Sequence, residues 1–367
     1  MSEDEARSLW PHHLAAYVAS GVTTVLDTGI LEEDAERLVE LASQGPAPTL
    51  RFLGPLVSPD GGYLNAVLPA FEPTRTADEL TAQLEAFDHL DPVGVKVTME
   101  DGMLRPIWPL HQQPVLDALR EQHRPLFVHA IETHEYELAL TIAPAAFVHP
   151  PDRVYPSLVE RLADIPVVTT LAVFDTMLVP AQPERLSDEL VRLVVPAVEL
   201  ENSASADLTK RSNTVVLSHV MPRLPGFMHG MVATMMVKEG PIRKRLQQVQ
   251  DVVVTLHEGG VELVAGSDSG NWPVFLHEWH GPTTIRELEL LQEAGIPRAD
   301  VITIGTLNGA RLVGLEAEIG TIEVGKRADF IGVEGDPLSD VGILRKARWV
   351  VRDGDRRTPE AWMSAVR

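Results

Sequence analysis

The sequence predicts an α/β protein built on a parallel barrel, and three observations support this fold class. Short apolar runs rich in β-branched residues alternate with longer amphipathic stretches along most of the chain, a pattern typical of repeated βα units. Most of these runs recur at the spacing of one such unit. The length of 367 residues also suits one barrel of about 250 residues with a small appendage. We therefore expect a (β/α)8-type TIM barrel with a smaller β structure at its C-terminus.

Seven apolar runs are the strand candidates of this barrel. They are Val22–Asp27, Thr49–Gly54, Gly94–Thr98, Pro125–His129, Ala146–His149, Pro166–Leu171 and Val261–Asp268. A closed barrel of this kind has about eight strands. The stretch Trp10–Ser20 resembles a helix that should follow an earlier strand, and the residues before it have no strand pattern. We therefore expect a barrel that lacks its first strand.

Amphipathic stretches between the strand candidates predict helices. They are Glu32–Ser43, Thr76–Leu90, Pro114–Gln122, Tyr155–Ala163 and Thr283–Ala294. The interval before the last strand is longer than one βα unit requires, and we place the surplus in residues 175–240. Two interpretations stay open for this insertion, a mobile lid over the functional face and a packed group of helices.

The pattern changes after Gly314. Ile319–Val324, Asp329–Val333 and Arg348–Arg352 are predicted strands, separated by glycine- and proline-containing turns. Because two or three strands alone are marginal in water, we interpret them as the remnant of a small β-sandwich. The predicted division is a barrel over residues 1–314 and a C-terminal β-sandwich portion over residues 315–367.

The composition excludes several classes of partner. A formal charge of −22 repels nucleic acid phosphates and anionic lipid, so we expect neither nucleic acid nor membrane as a partner. No apolar run reaches the roughly 18 residues of a membrane span, and the acidic N-terminus does not resemble a secretory signal. The absence of cysteine excludes disulfides and thiolate metal sites and permits a reducing compartment. We expect a cytoplasmic protein that acts on a small molecule.

Four ionisable residues, Lys96, His129, His149 and Asp268, lie at the ends of four predicted strands. The carboxyl ends of the strands in a parallel barrel all face one mouth, so these side chains should converge. Each alone has an ordinary explanation: a core or capping histidine, a lysine that extends to the rim, or an aspartate that caps a turn. Together they favour one site, because each would otherwise pay a desolvation penalty. Two imidazoles and a carboxylate suit a divalent ion such as Zn²⁺.

Several motifs resemble one known family. They are Gly-Val-Thr-Thr-Val-Leu-Asp-Thr-Gly at 21–29, Val-Lys-Val at 95–97, Val-His-Ala at 128–130, Ala-Gly-Ser-Asp-Ser-Gly at 265–270, Leu-Asn-Gly-Ala-Arg-Leu-Val-Gly-Leu at 307–315, Ile-Gly-Thr-Ile-Glu-Val-Gly-Lys-Arg-Ala-Asp-Phe at 319–330 and Gly-Asp-Pro-Leu at 335–338. This combination is similar to the amidohydrolase superfamily of metal-dependent hydrolases, and within it to the imidazolonepropionase-like and prolidase-like branch. The resemblance covers nearly the whole chain, and the motifs after residue 307 are its most specific part.

The resemblance implies roles for the strand-end residues. Lys96 would match a strand-4 lysine that is often carbamylated so that it bridges two metals. His129 and His149 would match the metal ligands of strands 5 and 6, although the motif around His149 departs from the usual Glu-His-Gly. Asp268 would match the strand-8 aspartate, which binds metal and takes a proton from the attacking water. In such enzymes the metal activates that water for attack on an amide or ester carbon, and the aspartate then protonates the leaving group.

One departure from the family is large. The family carries His-x-His at the end of strand 1, and no such motif occurs here, since His12 and His13 are adjacent. The early sandwich strands that precede that motif are absent too, and the shared boundary suggests an N-terminal truncation or a misassigned start more than a drifted active site. We therefore expect at most one tightly bound metal ion per chain and weak or absent activity.

Three functional hypotheses follow. The first is hydrolysis of a C–N bond in a cyclic amide, an N-acyl compound or a dipeptide, with Asp268 as general base. The second is a non-catalytic barrel relative kept for binding or assembly, and the third is an isomerase or decarboxylase of the same fold. Further candidates for contact with substrate are Tyr63, His219, His277 and His280. For His277 and His280, a loop with solvated histidines is the favoured alternative. An opened barrel would expose strand edges, so we also expect a homo-oligomer or low thermal stability.

Overall fold

The computed structural model describes residues 3–60, 62, 71–99, 108–220, 228, 238–271 and 275–366, with only the backbone described at Glu3, Leu110 and residues 215–220. Eight of its strands are parallel. They are β1 (Thr24–Asp27), β2 (Thr49–Phe52), β3 (Leu56–Val57), β4 (Val95–Thr98), β5 (Leu126–His129), β6 (Ala146–Phe147), β7 (Val167–Val168) and β8 (Leu263–Val264). Each lies within or directly after one of the seven predicted apolar runs.

The parallel strands follow one another in chain order. β1 pairs with β2, and β3 to β8 form one six-stranded sheet. The two groups are joined where the Val93 N–H donates to the Phe52 carbonyl at 2.8 Å and the Gly54 N–H donates to the Gly94 carbonyl at 2.7 Å. β2 and β3 are thus one strand bent at Gly54-Pro55, where proline lacks the N–H that a regular ladder needs. The extension Leu56–Val57 was not predicted.

The ends of this parallel sheet meet other parts of the chain. Within the described residues, no strand pairs with β8 other than β7, and none pairs with β1 other than β2. β8 is contacted by a helix that follows it in the chain, Leu307–Leu312. The Asn308 amide of this helix donates to the Leu263 carbonyl at 2.8 Å. The Ala265 N–H likewise donates to the Ile304 carbonyl at 3.3 Å. The described architecture is therefore a mixed α/β fold of barrel type with seven strand positions.

Helices cover the outer face of the parallel sheet, and one further helix ends the chain after the C-terminal strands. They are α1 (Glu3–Ser8), α2 (Trp10–Ala19), α3 (Glu32–Gln44), α4 (Ala77–Phe87), α5 (Gln113–Glu121), α6 (Thr133–Ala139), α7 (Pro156–Arg161), α8 (Ala172–Thr176), α9 (Glu189–Val194), α10 (Ala197–Ala204), α11 (Ala206–Val220), α12 (Glu239–Glu258), α13 (Pro282–Ala294), α14 (Arg298–Ile304), α15 (Leu307–Leu312) and α16 (Pro359–Ser364). Short 3₁₀ turns lie at Asp88–Leu90, Leu110–Gln112, Leu140–Ile142, Val179–Ala181, Pro183–Ser187 and Val341–Lys346. No helix in the described part of the chain is both long and apolar enough to cross a membrane.

Successive side chains of each strand point to opposite faces of the sheet, so the apolar core has two layers. Val95, Val97 and Val128 belong to a large cluster that includes residues of the surrounding helices. A smaller cluster of Leu53, Phe127, Ala146 and Val148, which we call the apolar floor, packs together inside the curved sheet. Phe127 is paired with Lys96 across the sheet and precedes His129 by two positions, so all three share one face. The floor therefore lies one layer below the strand ends.

The described part of the insertion packs against helices. Val191 and Val194 of α9 share a buried cluster with Ala15 and Val18 of α2 and with Trp362 of α16. Residues 221–227 and 229–237 lie outside the described residues.

The C-terminal region forms a small antiparallel sheet in the order β11–β10–β9, from β9 (Phe330–Val333), β10 (Ala347–Arg352) and β11 (Asp355–Arg357). The prediction of a strand at Ile319–Val324 is wrong, since these residues form bends and turns. Ile322 and Val324 are 87% and 109% exposed, so their side chains are not packed against a neighbouring strand. β11, which was not predicted, follows β10 through a tight turn at Asp353-Gly354, where both residues have positive φ.

Candidate functional site

The structure brings the four predicted strand-end residues to one mouth. Lys96 lies within β4, His129 is the last residue of β5, and His149 follows β6 by two residues. The rings of His129 and His149 are nearly perpendicular, with centroids 4.7 Å apart. Asp268 follows β8 in a loop where its φ is +51°, and its charge acts on Lys96 and both histidines. The convergence comes from the shared direction of the strands, as the sequence predicts.

Burial keeps both imidazoles neutral. Burial, followed by the charge of Lys96, lowers the pKa of His129 to about 3. Burial, followed by the adjacent His129, lowers the pKa of His149 to about 3 as well. Neutral imidazole is the form that offers a lone pair to a metal ion. Both rings are therefore in the ligand form at neutral pH.

Lys96 is a buried amine between two carboxylates. The residue is 7% exposed, and its Nζ donates to the Thr28 Oγ1 at 3.2 Å. Burial lowers the pKa of Lys96, while the charges of Asp268 and Asp27 oppose that shift. The amine is thus more easily deprotonated than a surface lysine, which is the condition that carbamylation by CO₂ requires.

Asp27 is a member of this group that the sequence interpretation missed. It ends β1 in the same way that His129 ends β5. Burial raises the pKa of Asp27, against the hydrogen bond from the Gly29 N–H at 2.9 Å and the charge of Lys96. The strand-end rule that identified the other residues applies equally to Asp27, so the signal was present in the sequence.

Hydrogen bonds fix the position of His149. Its Nδ1 lies 2.9 Å from the Thr170 Oγ1, and its carbonyl accepts a short hydrogen bond from the Tyr136 hydroxyl. Tyr136 is fully buried and stacks on Phe147 with ring centroids 3.8 Å apart. The end of β6 is therefore held from both its backbone and its side chain.

The loop around Asp268 is held by neighbouring polar groups. Asn271 Nδ2 donates to the Asp268 carbonyl at 2.8 Å and to the Glu278 Oε2 at 3.2 Å. The Ser269 hydroxyl donates to the Ser267 Oγ at 2.9 Å. Burial, followed by the charge of Asp27, raises the pKa of Tyr17, whose hydroxyl also bonds Ser269 and Ser267. These contacts give the proposed base a fixed backbone.

The four weaker candidates have different positions. His277 is buried, and its Nε2 lies 3.0 Å from the Ser203 carbonyl in α10, which is a structural contact. His280 lies 3.1 Å from the Tyr17 hydroxyl through its Nδ1 and stacks on His13 with centroids 4.2 Å apart. Tyr63 lies outside the described residues, as does the side chain of His219. Their roles as substrate contacts stay predictions.

A second group of potential ligands lies on the surface. Glu32 and Glu36 of α3 lie close to His89, with ligand atoms within 4.8 Å of one another. All three side chains are at least 41% exposed, and the His89 Nε2 is 2.9 Å from the Glu36 Oε1. This arrangement is explained by a solvated hydrogen bond between the imidazole and a carboxylate. The donor set at the strand ends is the better fit to a resident divalent ion, because it combines neutral buried imidazoles with carboxylate oxygen.

Two cavities are lined by residues other than Lys96, His129, His149 and Asp268. One of about 450 Å³ is lined by Val93 and Pro125, which precede β4 and β5, and by Phe127 near the start of β5, and so lies at the opposite end of the barrel. The other, of about 470 Å³, is lined by His277, Arg286 and Arg345 among others. The loops after β3 and β4 contain residues 61, 63–70 and 100–107, which lie outside the described residues.

Comparison with known proteins gives a family match over almost the whole chain. The model of the amidohydrolase family matches residues 1–353. A 5'-deoxyadenosine deaminase from Methanobrevibacter smithii is 35% identical over 69 residues, which are 19% of this chain and 16% of that relative. The chain thus spans less than a fifth of the length of this curated relative.

Two solved structures show the same fold. A Xaa-Pro dipeptidase with methionine bound in its active site superposes with a TM-score of 0.69 at 18% identity, over 97% of this chain and 80% of that chain. The ochratoxinase of A. niger gives a TM-score of 0.66 at 15% identity, over 97% of this chain and 76% of that chain. At these identities the likeness establishes the fold and leaves the substrate open.

Proposed function

The chain belongs to the amidohydrolase family, and we propose that it hydrolyses a C–N bond in a small molecule, with a divalent metal ion as cofactor. The observation that carries the proposal is the convergence of Lys96, His129, His149 and Asp268 at one end of the parallel strands. The substrate class is a cyclic amide, an N-acyl compound or a dipeptide. Zn²⁺ is the proposed metal, because neutral imidazole and carboxylate are its common ligands.

His129, His149, Asp268 and a carbamylated Lys96 would hold the ion. When bound, a divalent ion at such a site lowers the pKa of water and polarises a carbonyl group. The chain supplies the conditions for carbamylation, since burial lowers the pKa of Lys96. The neutral amine adds to CO₂ with loss of one proton, which gives an N-carboxylate. We propose one ion per chain, because the described strand-end residues form a single donor set.

Asp268 is the proposed general base. Its carboxylate would accept a proton from the water that attacks the substrate carbon and would pass that proton to the leaving nitrogen. The Asn271 amide donates to the Asp268 backbone carbonyl, which holds the backbone of this residue at the mouth. His129 and His149 stay neutral throughout and do not compete for the proton.

The test is hydrolysis of a substrate panel by the full chain supplied with Zn²⁺ and bicarbonate. The panel contains Xaa-Pro dipeptides, N-acyl amino acids and cyclic amides. We expect metal-dependent turnover of at least one class and a loss of about 10³-fold or more in kcat for Asp268→Asn, since the amide side chain cannot accept the proton.

The matched control is Asp164→Asn, the same substitution at an exposed position just before β7, at the opposite end of the barrel. It should keep full activity. Metal-loaded protein that turns over no member of the panel would favour the non-catalytic hypothesis. Equal activity of Asp268→Asn and the parent chain would exclude Asp268 as the base.

A further inference from the structure

Glu287 is a fully buried carboxylate that the proposed reaction does not use. It lies on α13 with 0% exposure. All its described hydrogen bonds come from one turn, residues 169–172. The Leu171 N–H donates to its Oε1 at 3.0 Å, the Ala172 N–H donates to its Oε2 at 2.7 Å, and the Thr169 hydroxyl donates a short hydrogen bond to Oε1. Because a buried charge is costly, these three donors offset part of that cost, and their convergence on one carboxylate points to a defined role for this contact.

The turn that Glu287 holds has a strained centre. Thr170 has a φ of +37°, a conformation that β-branched residues rarely adopt without support from their surroundings. The hydroxyl and the methyl group of its side chain contact two different segments near the site. Its Oγ1 lies 2.9 Å from the His149 Nδ1, and its methyl group faces Gly266, where an added Cβ would come within 3.2 Å of it. Thr170 therefore joins the end of β6 to the segment that leads to Asp268.

We propose that Glu287 is a positioning residue for His149, acting through the turn of residues 169–172 and the Thr170 hydroxyl. The Thr170 Oγ1 accepts a hydrogen bond from the His149 Nδ1–H, so that Nε2 carries the lone pair. The purpose of this arrangement rests on the proposed function, because it leaves Nε2 as the nitrogen that binds a metal ion. The contacts themselves exist whether or not the chain is catalytic.

Two pairs of variants separate positioning from general stability. Thr170→Val removes the hydroxyl at nearly constant shape, and Thr170→Ser keeps the hydroxyl but removes the methyl group. Glu287→Gln replaces one acceptor oxygen by an NH₂ group. Because both carboxylate oxygens accept hydrogen bonds from the turn, this NH₂ group would face a donor and at least one hydrogen bond would be lost. Its control, Glu293→Gln, makes the same change at a half-exposed position of the same helix.

The first measurement is the tautomer of His149 by ¹⁵N NMR of the metal-free full chain labelled in histidine, with His149→Asn used to assign the signals. We expect the Nδ1–H form in the parent chain, in Thr170→Ser and in Glu293→Gln. We expect Thr170→Val and Glu287→Gln to shift to the Nε2–H form that free histidine side chains prefer. The second measurement is titration with Co²⁺ as the probe, in which these two variants should bind at least about tenfold more weakly.

The proposal is overturned if Thr170→Val keeps the Nδ1–H form and the Co²⁺ affinity of the parent chain. It is also overturned if folded Glu287→Gln keeps both. If Glu287→Gln does not fold, Thr169→Val decides the matter, since it removes only one of the hydrogen bonds to Glu287 and should shift the tautomer in part. The tautomer is read without metal or substrate, so its outcome is distinct from that of the Asp268 test.

Discussion

Two buried carboxylates of this fold show how the identity of the partner decides a residue's charge. Burial opposes ionisation of Asp175, but the hydrogen bonds and charge of Arg286, together with Arg185, hold the pKa of Asp175 below its usual range. Glu287 is equally buried and receives its described hydrogen bonds from neutral groups, so burial raises the pKa of Glu287 to about 7. Asp175 is thus ionised at neutral pH, whereas Glu287 titrates there.

We predict that Glu287 makes the stability of the protein depend on pH between about 4.5 and 7. Its pKa is raised in the folded state, so the folded chain binds the proton more tightly than the unfolded chain does. The stabilisation is present below the unfolded pKa and is lost as the pH rises through 7. It amounts to about 3 kcal/mol over this window.

Denaturant unfolding of the parent chain and of Glu287→Gln from pH 5 to 8 checks this prediction. The parent chain should lose stability relative to the variant as the pH rises. Glu293→Gln should follow the parent chain. If the free energy of unfolding changed with pH in the same way in the parent chain and in Glu287→Gln, Glu287 would not be the group responsible.

The residues of the site differ in how far the sequence reveals them. Lys96, His129 and Asp268 are visible because each places a costly polar group at the end of its own apolar strand, which is a local signal. Thr170 lies at the end of such a run too, but its role depends on a contact with His149. Glu287 acts on a turn 115 to 118 residues earlier in the chain, so only the fold reveals it.

The secondary-structure elements also divide into those with a local sequence signal and those that depend on contacts with distant parts of the chain. Strands such as β4 and β5 were predicted because their burial pattern is local and their neighbours lie adjacent in the chain. Ile319–Val324 has an equally apolar pattern and forms no strand, because strand formation needs a pairing partner as well as a propensity. The bent extension β3 after Pro55 was missed because a proline normally ends a strand.

Helix α4 offers a test at the scale of one element. Thr76 caps it with a capping box, in which the Glu79 N–H donates to the Thr76 Oγ1 at 3.1 Å and the Thr76 N–H donates to the Glu79 Oε2 at 3.2 Å. Thr76→Ala should lower the free energy of unfolding by about 1 kcal/mol, because the cap satisfies an N–H that the helix leaves unpaired.

Thr81→Ala is the control in the same helix. The Thr81 hydroxyl bonds the Ala77 carbonyl at 3.0 Å, a contact that adds little to helix stability, so this variant should be neutral or slightly stabilised. Thermal and denaturant unfolding of both variants would measure the difference. Equal destabilisation would show that loss of a threonine side chain, and not loss of the cap, is responsible.

At the scale of the whole molecule, the edges of the parallel sheet bear on assembly. In the described residues β1 pairs on one side only, while β8 is met by Asn308 and Ile304. We predict that the full chain either forms homo-oligomers or melts at low temperature, because an unpaired strand edge tends to recruit a partner. The charge of −22 opposes association at low salt, so added salt should favour the oligomer.

Light scattering coupled to size exclusion, at low and moderate salt, measures the assembly, and calorimetry measures the melting transition. A monomer under both conditions with a cooperative melt well above about 65 °C would contradict the prediction, since mesophilic domains usually melt between about 45 and 65 °C.

The apolar floor has a consequence for the flow of molecules through the proposed enzyme. Phe127 lies below the strand-end residues and also lines the cavity at the opposite end of the barrel. This layer gives water and charged groups no favourable route between the two ends. Substrate and product would then both pass through the mouth at the carboxyl ends of the strands. A bound product would therefore prevent the substrate from binding. The hydrolysis product that leaves last should therefore raise the apparent KM without changing kcat, and noncompetitive inhibition by both products would contradict a shared opening.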